Sequence, residues 1–539
     1  MVISTYLTAD TVRAHNASGA WRGNLLDAPL AAWAERDPER RALVEEGQPP
    51  ISYGDLNRRI AVVARQLLDL GLTPGDVVAW QLPNWWETVV VHHAILRLGC
   101  VSCPIVPIYR EREVGFIMRQ TRAKVLFVPE RFRNFDYPAM AAAVRNLAPE
   151  LRHVIKVRSA DEEQDFSFEK GSVLATQDVP TKQASDITVL LYTSGTTADP
   201  KGVLHSHDTI DYENRTILEL YGLVRSDVVF MPSPLAHITG VLYGLHLPFM
   251  IGAAVVLQPV WEPLRALQLI QQHRCSFVVA ATPFLHGLTH HPALGDHDVS
   301  SLRVFACGGA DVPAELILQA ERALGCLTTR VYGSTELPTL SAGGPGSPLE
   351  RRATTDGALF AGAEARIVDE QDRDLPPGVA GDLIVRAPEL FLGYLDAGLN
   401  ADAFTADGWF RTGDIASLVD DWLTIHGRRK DIIIRGGENI SAKEIEDLLF
   451  QHPGVADVAV IGMPDAVLVE RVCAYIVPRN EPPTLEEVVA FLRTHRIANQ
   501  KLPERMEVVA QLPRTASGKI QKFKLRADIA AKVRDAKSA

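Results

Sequence analysis

The residues of this chain that could do chemistry stand in short polar segments, each of which follows an apolar run. The first segment contains Thr193, Ser194, Gly195, Thr196, Thr197 and Lys201. Hydroxyls and free backbone N–H groups donate hydrogen bonds to phosphate oxygens, and a lysine adds a mobile positive charge. The spacing is not that of a Walker loop, because Pro200 precedes the lysine and no helix starts there at once. The segment predicts a phosphate-binding loop, with an ordinary Ser/Thr/Gly loop as the alternative.

Two later turns add an aromatic ring and two carboxylates. Tyr332, Thr335 and Glu336 follow a strand-like run, and Asp414 ends the sequence Thr-Gly-Asp. An aromatic ring can stack on a purine, and carboxylate oxygen is a ligand that Mg²⁺ prefers. A buried aspartate can accept hydrogen bonds from both hydroxyls of a ribose. Taken singly, each turn also fits a strand end with a solvated acid.

A fourth segment, residues 513–520, presents Lys519 in a loop that contains Gly518. One preorganised lysine can neutralise two anionic reactants as they approach each other. The competing interpretation of this basic tail is a solvated helix. The four segments together indicate a site for a nucleotide and an anionic second substrate.

The elements that must position these segments alternate between strand and helix. Apolar runs rich in β-branched residues alternate with helical patterns over the first 330 residues, which predicts parallel sheets covered by helices. Residues 355–427 change to short strands and turns, and the strand–helix pattern resumes after Arg428. We therefore predict a mixed α/β chain with two domains. The large N-terminal domain, 1–428, holds two helix-covered α/β subdomains and a small β-rich subdomain, and a smaller α+β domain, 429–539, follows a hinge.

Composition narrows the functional class. The 539 residues are 47% hydrophobic and 22% charged, which is typical of folded globular domains. A net charge of −11 disfavours a nucleic-acid binder. Six scattered cysteines make no disulfide framework and predict a reducing compartment. Cys100 and Cys103 lack a second pair of zinc ligands at suitable spacing, so we expect a buried strand there.

The sequence predicts a cytoplasmic protein without a membrane span. The first residues lack the charged and apolar regions of a secretory signal, and the last three are no peroxisomal or retention signal. Residues 228–261 carry no fixed charge and are long enough to cross a bilayer, but prolines and histidines interrupt them. We predict a buried helix around 240–247 and a core strand around 253–257.

The order of these motifs closely resembles the adenylate-forming superfamily of acyl-CoA synthetases, peptide-synthetase adenylation domains and luciferases. The resemblance extends from SYGDL at residues 52–56 to SGKIQK at residues 517–522. It implies that a carboxylic acid and ATP·Mg²⁺ give acyl-AMP and pyrophosphate, and that the acyl group then passes to a thiol. The expected partners are therefore a small-molecule carboxylic acid, ATP and coenzyme A, while a homo-oligomeric state stays open.

The resemblance also implies roles for individual residues on the N-terminal side. The loop from Thr193 to Lys201 would hold the β- and γ-phosphates, and Gly308, Gly309 and Ala310 would line the adenine site. Tyr332 would stack on adenine with Gly333 beside it, Thr335 would touch the α-phosphate, and Glu336 would bind Mg²⁺. Asp414 would bind the ribose hydroxyls, with Arg428 nearby.

On the C-terminal side the resemblance assigns a catalytic lysine, a hinge and a tunnel. Lys519 matches the lysine that bridges the acyl carboxylate and the α-phosphate. Lys430 matches the hinge residue. Rotation about it would bring Gly436 and Gly437 to the site in place of Lys519. Residues without side chains suit a narrow pantetheine tunnel because the backbone can approach the ligand closely.

Free coenzyme A is the expected acceptor. No acidic residue that could bind a substrate ammonium occurs from His237 to Trp261, no carrier domain follows Lys519, and the hinge region has no insertion. The expected acyl pocket is lined by His237, Gly240, Val241, Gly308, Gly333, Leu337 and Pro338. It predicts an uncharged short-to-medium aliphatic, alicyclic or aryl acid, as in cyclohexanecarboxylate and medium-chain acyl-CoA ligases. His237 would gate the pocket, take the thiol proton or only pack.

Three alternatives stay open from the sequence. The acceptor could be a carrier protein, the chain could be an inactive nucleotide-binding relative, or it could be a kinase that releases ADP. A luciferase is disfavoured because nothing in the sequence indicates oxygen chemistry.

Overall fold

The computed structural model describes residues 6–159, 166–193, 200–309, 311–436, 438–465, 467–515 and 518–538. Its helices, in chain order, are α1 (Ala9–Ala17), α2 (Ala28–Arg36), α3 (Tyr53–Asp69), α4 (Trp86–Arg97), α5 (Glu111–Thr121), α6 (Tyr137–Leu147), α7 (His207–Tyr221), α8 (Ile238–Gly240), α9 (Leu247–Met250), α10 (Pro263–His273), α11 (Thr282–Thr289), α12 (Ala314–Leu324), α13 (Leu349–Thr354), α14 (Asn400–Ala403), α15 (Ala442–Leu449), α16 (Leu485–Thr494) and α17 (Lys522–Ser538).

The strands, in chain order, are β1 (Arg41–Glu45), β2 (Ile51–Ser52), β3 (Val77–Trp80), β4 (Val101–Pro104), β5 (Val125–Pro129), β6 (Arg131–Phe132), β7 (Phe135–Asp136), β8 (His153–Val157), β9 (Ile187–Thr193), β10 (Lys201–Ser206), β11 (Val228–Met231), β12 (Ala254–Leu257), β13 (Phe277–Ala280), β14 (Val304–Cys307), β15 (Leu327–Tyr332), β16 (Ser341–Ala342), β17 (Ala358–Leu359), β18 (Glu364–Val368), β19 (Gly381–Arg386), β20 (Phe410–Val419), β21 (Trp422–Arg428), β22 (Ile433–Arg435), β23 (Glu438–Ile440), β24 (Val455–Asp465), β25 (Val469–Pro478) and β26 (Arg505–Val508).

The first large sheet lies in the N-terminal part of the chain, in the order β10-β9-β4-β3-β5-β8. Its inner strands are parallel, and β3, β4 and β5 are buried along their whole length. Continuous apolar strands of this kind need helices on both faces of the sheet. Strand β4 contains Cys103, and all six cysteines are free and buried, which confirms the expectation that they form no disulfides.

The second large sheet joins two parts that the sequence analysis treated separately. Within the described residues it has 13 strands, in the order β18-β19-β20-β21-β17-β16-β15-β14-β13-β11-β12-β1-β2. Strands β1 and β11–β15 of this sheet pair in parallel. Strand β2 pairs antiparallel with β1, and strands β16–β21 also pair antiparallel. The predicted β-rich segment is therefore confirmed, and its strands continue the parallel sheet through the pairing of β15 with β16.

The stretch without fixed charge, 228–261, is interior structure as predicted. It contains β11, α8, a π-helical segment Val241–His246, α9 and β12. Two glycines let this stretch pack tightly, because a Cβ on Gly240 would lie 2.2 Å from the Pro234 carbonyl oxygen and one on Gly244 would lie 2.6 Å from the Leu235 Cδ2. Helical segments of the π type are rare and occur often at functional sites. In the part of the chain that the structure describes, no helix is both long and apolar enough to span a membrane.

The C-terminal residues build a separate sheet in the order β23-β22-β25-β24, with β26 beside β25. Helix α15 starts at the N-cap Ser441, whose side chain accepts a hydrogen bond from the Glu444 N–H, and α16 starts with a capping box at Thr484. The alternation of strand and helix predicted after Arg428 is thus confirmed. A single 3₁₀ turn, Arg429–Asp431, connects this sheet to β21.

Candidate functional site

The floor of the candidate site is a pair of neighbouring strands. Asp414 on β20 and Arg428 on β21 are direct partners in the antiparallel register. The Arg428 Nε lies 3.4 Å from the Asp414 Oδ1, and the Tyr332 hydroxyl donates a hydrogen bond of 2.6 Å to the Asp414 Oδ2. Burial and then the Asp414 charge raise the pKa of Tyr332 well above its usual value. Strand pairing therefore joins Asp414 to Arg428, and the Tyr332 hydroxyl adds a third residue that was predicted to bind the nucleotide.

The turn after β15 needs glycine at its start. A Cβ on Gly333 would lie 1.5 Å from the Pro338 carbonyl oxygen, so no other residue fits this backbone. The turn is closed by the Ser334 N–H, which donates to the Leu337 carbonyl at 2.6 Å. Gly333 and Pro338 therefore shape the turn that carries Thr335 and Glu336.

Distant residues hold Thr335 and Glu336 in place. The His205 Nε2 lies 2.8 Å from the Thr335 carbonyl oxygen, and the Tyr394 hydroxyl donates to the Glu336 Oε1 at 2.9 Å. The Phe391 N–H donates to the Glu336 carbonyl at 2.8 Å. The sequence analysis missed all three partners because nothing near them in the chain points to this turn.

The predicted phosphate loop is a hairpin connection. Thr193 ends β9, Lys201 begins β10, and the two are partners in the register. Ser194, Gly195, Thr196 and Thr197 lie outside the described residues. The Lys201 Nζ lies 4.9 Å from the centre of the Tyr394 ring, and Tyr394 also contacts Glu336. The lysine of the loop and the predicted metal ligand thus share one aromatic neighbour.

Gly308 and Gly309 follow β14 at the edge of the same site. A Cβ on Gly308 would lie 2.4 Å from the Val331 carbonyl oxygen, so glycine allows β14 and β15 to approach there. Gly309 has a φ of +77°. Ala310, the third predicted residue of this segment, lies outside the described residues.

Lys519 reaches the floor from a loop of the C-terminal sheet. The Lys519 N–H donates to the Thr515 Oγ1 at 3.0 Å, and the Thr515 N–H donates to the Lys519 carbonyl at 2.8 Å. Gly518 has a φ of +85°, and a Cβ there would lie 2.8 Å from the Pro283 Cγ of helix α11. Burial and the charge of Arg428 lower the pKa of Lys519 to about 8, against the opposing effect of Asp414.

One cavity of about 390 Å³ brings together Tyr332, Asp414, Arg428 and Lys519, whereas Thr335, Glu336 and Lys201 are not among the residues of its wall. The following residues on its wall come from the large sheet and its loops: Gly309, Asp311, Tyr332, Gly333, Asp414 and Arg428. The C-terminal part contributes others, among them Lys443, Glu446, Asp457, Arg514 and Lys519. The cavity is therefore closed only when both parts of the chain are in the described arrangement.

His237 stands next to this cavity, on the side predicted for the acid. It caps α8, where its Nδ1 accepts a weak hydrogen bond of 3.4 Å from the Thr239 N–H. Burial and the nearby Lys519 lower the pKa of His237 to about 4, so the ring is neutral at pH 7. A space of about 10 Å³, enough for one water molecule, adjoins it. The walls of that space are Ser233, Pro234, His237, Thr239, Ala281, Gly308 and Gly309.

Three further residues predicted for the acyl pocket are packed in the interior. Val241 belongs to the main apolar cluster of the N-terminal part, and Leu337 belongs to the cluster under the antiparallel strands. Gly240 faces the backbone of Pro234 and Leu235. The structure thus brings His237 together with Gly308 and Gly309, and the role of Val241, Gly240 and Leu337 in a pocket stays a prediction.

The predicted tunnel and hinge residues lie in the C-terminal part. Gly436 has a φ of +59° in the turn between β22 and β23, and its N–H donates to the Leu468 carbonyl at 2.8 Å. Gly437 lies outside the described residues. Lys430 is the middle residue of the 3₁₀ turn that joins the two parts, and its carbonyl accepts a hydrogen bond from Arg526.

The comparisons with known proteins agree with this architecture. Residues 30–395 match the model of the AMP-binding enzyme family, and residues 444–519 match that of the AMP-binding enzyme C-terminal domain. The chain is 37% identical to a medium-chain fatty-acid–CoA ligase of Escherichia coli (strain K12), with 96% of this chain and 92% of the relative covered. It is 32% identical to a 2,3-dihydroxybenzoate-AMP ligase of Bacillus subtilis (strain 168), with 96% of each chain covered.

Among solved structures, ATP-bound MatB from Rhodopseudomonas palustris matches with a TM-score of 0.85 at 27% identity, covering 94% of this chain and 99% of MatB. The apo structure of MatB matches over the same shares with a TM-score of 0.76. The chain therefore belongs to the family of AMP-binding enzymes. It is a ligase that activates a carboxylate with ATP.

Proposed function

We propose that this chain converts an uncharged carboxylic acid to its acyl-AMP with ATP·Mg²⁺ and then transfers the acyl group to coenzyme A. The observation that carries the proposal is the meeting of Lys519 with Asp414 and Arg428 in one cavity. A nucleotide bound by its ribose at Asp414 would present its α-phosphate towards the lysine. An acid beside His237 would present its carboxylate to the same charge.

Lys519 has the electrostatics that this first step needs. A carboxylate and a triphosphate are both anions, so a positive charge must be present where they meet. With a pKa of about 8, most Lys519 side chains are protonated at pH 7. Burial reduces the screening of that charge by water, which increases its effect on the reacting groups. Thr335, in the turn after β15, would contact the α-phosphate from the side opposite Lys519.

Glu336 fits the role of a Mg²⁺ ligand. Its carboxylate is oriented by the Tyr394 hydroxyl, and Lys201 is close to the same tyrosine ring. Carboxylate oxygen is a preferred ligand of Mg²⁺, which usually binds proteins through one or two carboxylates together with substrate phosphates. The bound ion would neutralise charge on the β- and γ-phosphates. Lys201 and the loop that ends at Thr193 would hold the remaining phosphate oxygens.

The proposed substrate is an uncharged acid with an acyl group of about six to ten carbons. The walls beside His237 carry no fixed charge, and His237 itself is neutral. A charged second group on the substrate would therefore be buried without a partner, at a cost of several kcal/mol. An acyl group of this size exceeds the described space beside His237, so its binding must displace the side chains around it.

The second step would use another placement of the C-terminal part, residues 429–539. The described arrangement is closer to ATP-bound MatB than to its apo structure, which supports its assignment to the first step. Rotation at Lys430 would remove Lys519 and bring Gly436 and Gly437 to the acyl-AMP. The similarity to a CoA ligase at 37% identity favours coenzyme A as the acceptor.

The similarity to a 2,3-dihydroxybenzoate-AMP ligase favours a second candidate, in which acyl-AMP forms and coenzyme A is not the acceptor.

One experiment separates these two candidate functions. The purified chain is supplied with ATP, Mg²⁺ and coenzyme A together with octanoate, cyclohexanecarboxylate, benzoate, a dicarboxylate or an amino acid, and all nucleotides and thioesters are quantified. We expect AMP, pyrophosphate and acyl-CoA from the first three acids. Pyrophosphate with acyl-AMP, or with the AMP left after its hydrolysis, and no thioester would support the second candidate, and ADP would contradict both.

A further inference from the structure

A buried acid, a tyrosine and a threonine form a hydrogen-bonded chain behind the candidate site. Glu213 lies on α7, Tyr243 lies in the π-helical segment, and Thr339 follows the turn that carries Glu336. All three side chains are buried. None of them has a role in the proposed reaction.

The chain of hydrogen bonds occupies both oxygens of the carboxylate. The Tyr243 hydroxyl donates to the Glu213 Oε1 and lies 2.7 Å from the Thr339 Oγ1. The Thr339 N–H donates to the Glu213 Oε2 at 3.2 Å. Glu213 therefore ties the backbone and the side chain of Thr339 to the π-helical segment.

These contacts link the two sides on which the substrates would bind. The π-helical segment continues directly from α8, which His237 caps. Thr339 stands three residues after Glu336, at the end of the turn that also carries Tyr332 and Thr335. The cluster thus connects the helix on the acid side with the turn on the nucleotide side.

A second buried acid lies near the same turn. Neither carboxylate oxygen of Glu389 has a hydrogen-bond partner within the described residues. Burial and then the charge of Glu213 raise the pKa of Glu389 well above its usual value, so its protonated form is favoured. Phe391, two residues further on, donates its N–H to the Glu336 carbonyl. The turn is therefore held between two segments that each carry a buried acid.

Burying such a cluster costs folding free energy, so stability alone does not explain its presence. Burial raises the pKa of Glu213 to about 7, which reflects the cost of placing a carboxylate in an apolar core. An apolar side chain of similar volume would pack there without that cost. A fully hydrogen-bonded network, in contrast, specifies one geometry between the elements it joins.

We propose that Glu213 and Tyr243 are positioning residues that set the distance between the nucleotide turn and the acid-side helix, so that each substrate site depends on the other. The inference rests on the proposed adenylation of an acid by ATP. Without this link the turn and the helix could shift relative to each other, which would weaken the binding of both ATP and the acid.

The test uses Tyr243→Phe and Thr339→Val, singly and together, with Tyr53→Phe as the matched control. Tyr53 is also fully buried, and its hydroxyl donates to the Ala253 carbonyl at 2.7 Å, outside the hydrogen-bonded cluster. Pyrophosphate exchange with octanoate gives KM for ATP and for the acid. Each single variant should raise both KM values about fivefold or more, and the double variant should be no worse than the singles, because all three break the same link.

Tyr53→Phe should lower the melting temperature as much as Tyr243→Phe does while leaving both KM values unchanged. Glu213→Gln keeps the shape of the side chain and one acceptor oxygen. It should therefore raise both KM values less than Glu213→Ala does. Unchanged KM values in Tyr243→Phe, or losses that add up in the double variant, would overturn the inference. Failure of the wild-type chain to exchange pyrophosphate with any acid would instead refute the proposed function.

Discussion

The two sides of the candidate site are built by different means. Asp414 and Arg428 are neighbours in the register of a strand pair inside the large sheet, and Asp414 is buried. Lys519 stands on a loop of the C-terminal sheet. That loop meets the other side where Gly518 lies against Pro283. Strand pairing fixes the first side whenever the sheet is folded, whereas the second side depends on how the two parts of the chain meet.

In the proposed two-step reaction this difference would give the two sides different roles. A group that is needed in both steps belongs on the rigid sheet, and a group that must leave after the first step belongs on a removable loop. The ion pair of Lys443 with Asp311, 4.0 Å apart, and the hydrogen bond from the Ser441 hydroxyl to the His426 carbonyl also cross the junction. Such polar contacts can break and reform more easily than an apolar core.

The largest effect is expected from Lys519→Ala on the removable side. Loss of the one charge placed between two anions should lower the rate of acyl-AMP formation about 10²- to 10³-fold. Pyrophosphate exchange measures this step. The control is Lys524→Ala, which removes an exposed lysine of α17 and should leave the rate within about twofold of the wild type. Similar losses in both variants would show that net basic charge, and not the position of Lys519, matters.

Asp414→Asn tests the fixed side. The amide keeps the shape but weakens the hydrogen bonds to ribose and to the Tyr332 hydroxyl, so KM for ATP should rise about 10- to 100-fold. Asp421→Asn in the exposed turn of the same hairpin is the control, and its KM for ATP should be unchanged. An unchanged KM in Asp414→Asn would remove this carboxylate from the nucleotide site.

The rate of acyl-AMP formation should depend on pH through the charge of Lys519. The pKa of Lys519 is lowered to about 8, so the protonated fraction falls as the pH rises through 8, and kcat/KM for acyl-AMP formation should fall about tenfold per unit above it. Lys519→Arg should shift this decline beyond the accessible range, because a guanidinium keeps its charge. A decline above pH 8 that persists in Lys519→Arg would assign the titration to another group.

The smallest effect is expected at the contact between the loop and α11. In Gly518→Ala the new methyl group would lie 2.8 Å from the Pro283 Cγ, and the φ of +85° is unfavourable for alanine. We expect acyl-AMP formation to slow about fivefold. Gly408→Ala is the control, because Gly408 has a φ of +89° but no atom within 4 Å of the added Cβ. Equal rates in the two variants would mean that the contact with Pro283 does not place Lys519.

Sequence reasoning predicted the parts of the fold that depend on local patterns. The apolar β-branched runs, the turn-rich segment 355–427 and the strand–helix alternation after Arg428 each appear where they were expected. It did not predict that the turn-rich strands extend the parallel sheet, because the pairing of β15 with β16 depends on a turn that only Gly333 permits. The π-helical segment was predicted only as a helix, since its 6 residues are too few for a hydrophobic period to separate the two types.

For the candidate site, the motifs located the chemical groups but not the residues that support them. Tyr394 orients Glu336 and His205 holds Thr335, although each pair is far apart in the chain. Nothing in the sequence indicated the buried cluster around Glu213, because a glutamate within a helical pattern is usually exposed to solvent. Contacts of this kind depend on how elements pack, which a single sequence does not encode in any local pattern.

The central claim is that one side of the site serves both steps and the other side serves only the first. Single-turnover formation of octanoyl-CoA from supplied octanoyl-AMP and coenzyme A tests it most directly, in the wild type, Lys519→Ala and Asp414→Asn. We predict that Lys519→Ala forms the thioester at a rate within about twofold of the wild type, while Asp414→Asn needs a markedly higher concentration of octanoyl-AMP. An equal loss in Lys519→Ala for this step and for acyl-AMP formation would contradict the claim and favour a single, static site.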